Sequence, residues 1–257
     1  MSRKTRQIVF FLSVAGFASL YVWALRGLPA FGHYRGPYGD VLNAVATYER
    51  HVTDIVTAVN FDYRGFDTLG EESILFISVV GAVVLLRRQK KEQGEQEEAE
   101  AGQDPGEPRR SPRPSEAVRA FMVGMVGPVV CFGLYIAAHG QLTPGGGFQG
   151  GVILATAPLM VYLAGDFAVF KRITSHALIE AAEAAGLLAY AGVGLAGLIM
   201  TGQFLRNVIP LGTTGYITSG GTIQAASLAT GLEVTGGFVL LLYAFLEQTL
   251  EFRVREE

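Results

Sequence analysis

The 257-residue chain has one cysteine, Cys131, which lies in an apolar run and so excludes an intrachain disulfide and any cysteine-based metal cluster. Its four histidines, His33, His51, His139 and His176, are far apart and share no His-x-x-x-His spacing. Charged residues make up only 17% of the chain and the net charge is −3, which gives no electrostatic case for a nucleic-acid partner. The glycine-rich stretch His139 to Gly151 lacks the Lys-Ser/Thr pair of a phosphate loop. No nucleophile–base pair stands out, so the expected protein is not an enzyme, needs no cofactor and has no metal site beyond transient sodium.

What is present is apolar, and unevenly placed. Half the residues are hydrophobic and the mean hydropathy is +0.34. The few charges crowd into short windows and leave long apolar runs, as in transmembrane helices. Ile8 to Leu25 follows Arg3, Lys4 and Arg6 and carries Tyr21 and Trp23 near its far end, which fits an uncleaved helix better than a signal peptide. Ser73 to Leu86, starting near Asp67, is a second helix, and Phe121 to Ala138, Gln149 to Phe170, His176 to Thr201 and Ala225 to Glu247 are four more.

The expected fold is therefore an all-α integral membrane protein with six transmembrane helices, two plus four. Residues 1–88 form the two-helix segment and 119–257 the four-helix domain. Residues 89–118 join them; charges of both signs and four prolines make this a disordered cytoplasmic linker. Six spans put the basic clusters at Arg3 to Arg6, Arg87 to Lys91, Lys171-Arg172 and Arg253/Arg255 on one side, so both termini are expected in the cytoplasm of a prokaryotic cell (inner) membrane. On the outer side, the apolar period from Val41 to Asn60 predicts an amphipathic helix lying along the membrane or against partner helices.

Charges within apolar helices carry the chemistry. Glu233 lies deep in the last helix and reads either as part of an ion path or as a hydrogen-bonded glutamate, to Thr230 or Thr235, that joins helices. Asp67, Glu71 and Glu72 start the second helix; Asp67 and Glu71 share a face, whereas Glu72 points about 100° away. With Thr68 they offer oxygen ligands for a hard monovalent cation or a proton, or simply cap the helix. His176, Glu180 and Glu183 form one stripe, an interfacial polar face or a proton entry. Thr143, Pro144, Gly145, Gly146, Gly147, Phe148 and Gln149 form a structural corner where glycines let helices approach closely.

Several motifs then point to one family. Gly127-Pro128, His139-Gly-Gln-Leu-Thr-Pro-Gly-Gly-Gly-Phe-Gln-Gly-Gly151, Phe204-Leu-Arg-Asn-Val-Ile-Pro-Leu-Gly212, Gly220-Gly-Thr-Ile223 and Gly231-Leu-Glu-Val-Thr-Gly-Gly-Phe238 resemble the MrpB (MnhB) subunit of multisubunit cation/proton antiporters. Gly36-Pro-Tyr-Gly-Asp40, Val52-Thr-Asp-Ile-Val56 and Asp62-Tyr-Arg-Gly-Phe-Asp-Thr-Leu-Gly-Glu71 look like the C-terminal tail of MrpA, or the separate MbhE subunit of membrane-bound hydrogenases. The resemblance implies a subunit of a hetero-oligomer exchanging Na+ or Li+ for H+, with MrpA-, MrpC-, MrpD-, MrpE-, MrpF- and MrpG-like partners in the lipid bilayer. It places Asp67 and Glu71 in the tail region implicated in the ion path and Glu233 in the MrpB motif, so that Glu71 and Glu233 are expected to hold the cation. The alternatives are a purely structural scaffold and the Mrp-like module of a redox-driven hydrogenase or complex I-type assembly.

Overall fold

The computed structural model describes residues 3–28, 36–86, 114–165 and 167–255. His33, Arg87 to Lys91 and the linker from 89 to 113 lie outside the described residues. So does Asp166. Among those described, all regular structure is helical.

The chain divides into two compact units, Met1–Val41 and Leu42–Glu257. In the first, α1 (Arg3–Arg26) is a single apolar helix whose side chains, such as Phe17 and Trp23, are exposed. Helix α2 (Tyr38–Arg50) begins at the end of this unit and runs into the second.

In the second unit the amphipathic stretch is not one helix. The periodicity breaks at His51, whose φ of 54° is left-handed, and restarts at α3 (Ile55–Ala58). Asp54 makes the new start: its side chain accepts from Val56 N at 3.0 Å and from Thr57 Oγ1 at 3.0 Å. A π-turn (Val59–Tyr63) follows, then α4 (Gly65–Leu86). The apolar residues on both sides of the break face inward all the same, with Leu42, Ala46, Val52, Ala58 and Phe61 buried.

Helix α5 (Glu116–Ala138) is capped by Ser115, whose Oγ accepts from Val118 N at 3.3 Å. The last three residues assigned to the linker, Glu116 to Val118, are therefore helical, because a serine cap starts the helix ahead of its apolar run. Helix α6 (Gly147–Leu163) stops short of the expected Phe170. Gly165 adopts a φ of 83°, the chain turns, and α7 (Phe167–Ile173) begins. Helices α8 (His176–Thr201) and α9 (Thr222–Arg255) complete the bundle. Among the described residues, five helices are long and apolar enough to cross a membrane: Gln7–Arg26, Gly65–Leu86, Glu116–Ala138, His176–Thr201 and Thr222–Leu246. The remaining expected span, α6, has 17 residues, about 25 Å at the helical rise.

Helix α9 is the axis of this unit, packing on α8, α6 and α4. Thr230 meets Glu72 and Gly237 lies against Val79, so α9 and α4 run in the same direction. Two apolar clusters form along this axis. One joins Ala46, Val52, Phe61, Tyr190, Ile223 and Ala226; the other joins Val79, Ala155, Ile179, Val239 and Leu240. Between them the core is polar.

Candidate functional site

The polar layer is made by three carboxylates from three helices. Glu72 and Glu233 are fully buried and Glu183 is 2% exposed. In sequence each lies between residues of the two apolar clusters: Glu72 between Leu69 and Leu75, Glu183 between Ile179 and Tyr190, Glu233 between Ala229 and Phe238. Apolar packing thus closes the layer at both ends.

Helical periodicity explains why Glu72 turns inward. Gly65, Thr68, Glu72 and Val79 are the buried residues of α4 and fall on one face. Asp67 and Glu71 fall on the exposed face. Asp67 accepts from Arg64 Nε at 2.5 Å. Glu71 makes no ion pair among the described residues. Of the two adjacent candidates it is Glu72, not Glu71, that lies beside Glu233, because a single-residue step rotates the side chain by about 100°.

Glycines set the height of the other two acids. A methyl group built on Gly186 of α8 would lie 2.4 Å from the Glu233 nitrogen, and one on Gly236 of α9 would lie 2.7 Å from the Glu183 nitrogen. The two helices are antiparallel and each places a glutamate backbone in the other's glycine notch. The corner glycines hold α9 from another side, since methyl groups on Gly147 and Gly151 would meet Thr230 Cβ at 2.7 Å and Val234 Cβ at 2.8 Å. Gly145 (φ 154°) and Gly146 (φ 121°) make this approach, and Gly146 N donates to Ile136 O at 3.2 Å. Phe148 is half-buried, while Pro144 and Gln149 are exposed.

Hydrogen bonding leaves the layer incomplete. Thr230 Oγ1 donates to Glu72 Oε1, and also lies 3.0 Å from Ala226 O. Thr230 thus serves Glu72, and Thr235 bonds the carbonyl of Gly231 at 2.6 Å, so neither supplies the partner expected for Glu233. Glu72 Oε2, Glu183 Oε1 and both oxygens of Glu233 are buried without a hydrogen-bond partner. Glu72 and Glu233 are electrostatic neighbours, as are Glu183 and Glu233. Among the described residues no three His, Cys, Asp or Glu converge to hold a metal ion, so the acids make a file rather than a cage. Such a file can pass a proton or a weakly held monovalent cation, either of which supplies the missing partner.

His176 and Glu180 do not enter the layer. They pair at 3.1 Å on the exposed surface at the start of α8, one and two turns before Glu183. At the opposite end of the layer, Tyr190 OH donates to Gly65 O at 2.9 Å and Thr68 Oγ1 to Asn60 O at 2.7 Å. Beyond them, Arg50 Nε donates to Asp62 Oδ1 at 2.7 Å, and Tyr63 OH to Glu49 Oε2 at 2.7 Å. The loops over this end are tied by Gln141, fully buried, whose Nε2 donates to Ile217 O at 2.6 Å, and by Asn207, which bonds both Gly220 O and Thr222 N.

Sequence reasoning missed Gly186, Gly236, Tyr190, Gln141 and Asn207. One signal was available: Glu183-Ala-Ala-Gly186 and Glu233-Val-Thr-Gly236 repeat the same Glu-x-x-Gly spacing on two helices.

Residues 117–240 match the model of a domain related to the MnhB subunit of Na+/H+ antiporter. An uncharacterized protein of Methanocaldococcus jannaschii is 28% identical over 238 residues, covering 85% of this chain and 86% of that protein. A probable A/B subunit of the K(+)/H(+) antiporter from Rhizobium meliloti is 26% identical over 214 residues, 77% of this chain but only 21% of the longer protein. Among solved structures, a chain of the membrane-bound sulfane sulfur reductase, an archaeal respiratory membrane complex, has a TM-score of 0.68 at 29% identity, covering 94% of this chain and 98% of that one. A chain of the Mrp complex from Dietzia sp. DQ12-45-1b has a TM-score of 0.63 at 22% identity, which shows the fold; it covers 95% of this chain and 26% of that one.

Proposed function

We propose that the chain is a membrane subunit of an Mrp-type antiporter or of a related module, a reading supported by the match of residues 117–240 to the MnhB-related domain, and that it lends the file Glu72–Glu233–Glu183 to cation/proton movement. The observation that carries this reading is the set of four buried carboxylate oxygens without partners. A charged side chain at the centre of a membrane helix costs on the order of 3 kcal/mol, and an unsatisfied buried polar group adds to that. Three such acids kept side by side are costly as mere helix glue. A proton or a monovalent cation relieves the cost, and exchange of one for the other moves charge through the layer.

In the assembled protein, the partners are the other membrane subunits of an Mrp-type complex. In this reading both termini are cytoplasmic, as the basic clusters in the sequence support, with His176 and Glu180 on the cytoplasmic side and Asp62 on the outer side. The two-helix segment acts as the MrpA-tail-like part and the remainder as the MnhB-like part of one chain. The protein is a transporter component and not an enzyme.

Glu72→Gln, Glu183→Gln and Glu233→Gln, introduced separately into the assembled complex, are expected to lower cation-driven proton movement in vesicles by about tenfold or more, equivalent to about 1.4 kcal/mol. Full exchange with intact assembly rejects the ion-path role. Loss of complex recovery with unchanged exchange per complex supports the scaffold reading instead.

A second reading is favoured by a specific observation. The sulfane sulfur reductase chain matches this one nearly end to end, at higher identity than the Mrp chain. In that setting the same file serves an assembly driven by a redox reaction elsewhere, and purification with redox subunits distinguishes it from a standalone antiporter.

A further inference from the structure

The outward face of α4 carries a second use of its acidic start. Asp67, Glu71, Ile74, Ser78, Gly81 and Leu85 follow one another at spacings of four, three, four, three and four, a seam of the kind along which two helices pack. All six are exposed, Ile74 at 67% and Leu85 at 87%. They lie on the side away from Thr68, Glu72 and Val79, so the seam is not used by this bundle. Gly81 has no atom within 4 Å of the space its side chain would occupy. Small residues at this position let a neighbouring helix come close.

Glu71 shows what kind of neighbour that is. It stands six residues into α4, about 9 Å along the helix axis, in a segment apolar enough to cross a membrane. Arg64, the nearest cation in sequence, is taken by Asp67. A carboxylate on the exposed face of a membrane helix is costly against hydrocarbon and is relieved by a basic partner. We propose that the Glu71 face of α4 is an interface for a transmembrane helix of a different membrane subunit, one that presents a lysine or arginine to Glu71 and packs against Ser78 and Gly81. This does not depend on whether the three buried carboxylates carry ions, since Glu71 is turned about 100° from Glu72 onto the exposed face of the helix.

The test uses the whole complex in its native membrane, with a photo-crosslinking amino acid in place of Ile74 or, separately, Ser78. The expected result is an adduct with one other subunit, mapped to a helix bearing a lysine or arginine at the height of Glu71. Glu71→Lys is expected to cut that adduct several-fold, and Glu71→Gln to cut it less. A probe at Leu188, exposed on α8, serves as reference. Adducts only with lipid, only within the chain, or with a second copy of this chain overturn the proposal. So does a partner helix lacking a basic residue, or an adduct that Glu71→Lys leaves unchanged. The crosslink in the otherwise unaltered sequence decides the occupant even if the lysine variant fails to assemble.

Discussion

Gly186 on α8 lies directly against the backbone of Glu233 on α9, close enough that a methyl group there would sit 2.4 Å from the glutamate nitrogen. Gly236 receives Glu183 in the reciprocal sense. Backbone atoms cannot step aside as the tip of a flexible side chain can. Gly186→Ala and Gly236→Ala are therefore expected to force α8 and α9 apart and cost about 1–3 kcal/mol, the usual penalty of overpacking. Gly192 on the same helix has open space around it. Gly192→Ala is expected to be neutral or to stabilise by up to about 1 kcal/mol through helix propensity. Thermal unfolding of the three variants in detergent checks the contrast; equal shifts for all three count against the notch.

Thr230 donates to the layer's Glu72. Thr230→Val keeps the shape and removes the hydroxyl, so Glu72 loses its partner, at an expected cost of about 1–3 kcal/mol. Thr230→Ser keeps the donor and is expected to retain most of the stability. The same pair, assayed for exchange in the complex, separates a positioning role from a packing role: only the valine variant should depress exchange.

The pair Glu71 and Glu72 gives a second contrast. Glu72→Gln is expected to reduce cation-driven proton movement per assembled complex, whereas Glu71→Gln is expected to leave it nearly intact and to weaken association instead. Measuring both quantities on both variants checks this. Equal loss of exchange would restore Glu71 to the ion path.

These contrasts also show how far the chain could be read without coordinates. The helices were legible because burial in a membrane requires long apolar runs, and α8 has the same bounds in sequence and structure, His176 to Thr201. Glu233 was legible because a carboxylate in such a run is conspicuous. The choice between Glu71 and Glu72 was not, since adjacent residues differ only in which face they occupy, and the face is set by packing on α9. Glu183 looked like the third member of a surface stripe with His176 and Glu180. It leaves that stripe because Gly236 and Gly237 bring α9 against it. The break at His51 and the turn at Gly165 are single-residue backbone events, which the spacing of apolar residues does not register.

Asn207 clamps the loop that leads into α9. Its Nδ2 donates to Gly220 O at 2.9 Å and its Oδ1 accepts from Thr222 N at 3.1 Å, the first residue of the helix. Asn207→Ala removes both bonds and is expected to cost about 1–2 kcal/mol, in the range of a lost helix cap. Asn207→Asp keeps the acceptor for Thr222 and loses only the donor, so a smaller loss is expected. Limited proteolysis between residues 203 and 221 is the readout, with cleavage fastest in the alanine variant.

Tyr63 makes the last case, and the only one in which pH supplies the sign. Its hydroxyl donates to Glu49 Oε2 at 2.7 Å, and the Arg50 guanidinium sits 4.6 Å from the ring centroid while bonding Asp62. Burial first, and then the bond to Glu49, push the Tyr63 phenol up to about 12, with Arg50 opposing. An unfolded tyrosine ionises near pH 10. A group whose folded value is the higher one contributes stability that is complete below about pH 10 and is lost as pH rises through about 12. The destabilisation caused by Tyr63→Phe should accordingly be constant from neutral pH to about 10 and shrink above it. Subtracting the tyrosinate absorbance of the variant from that of the unaltered protein should isolate one phenol that ionises near 12. A difference titration centred near pH 10 would mean that the contact with Glu49 is not kept in the protein as it stands in the membrane.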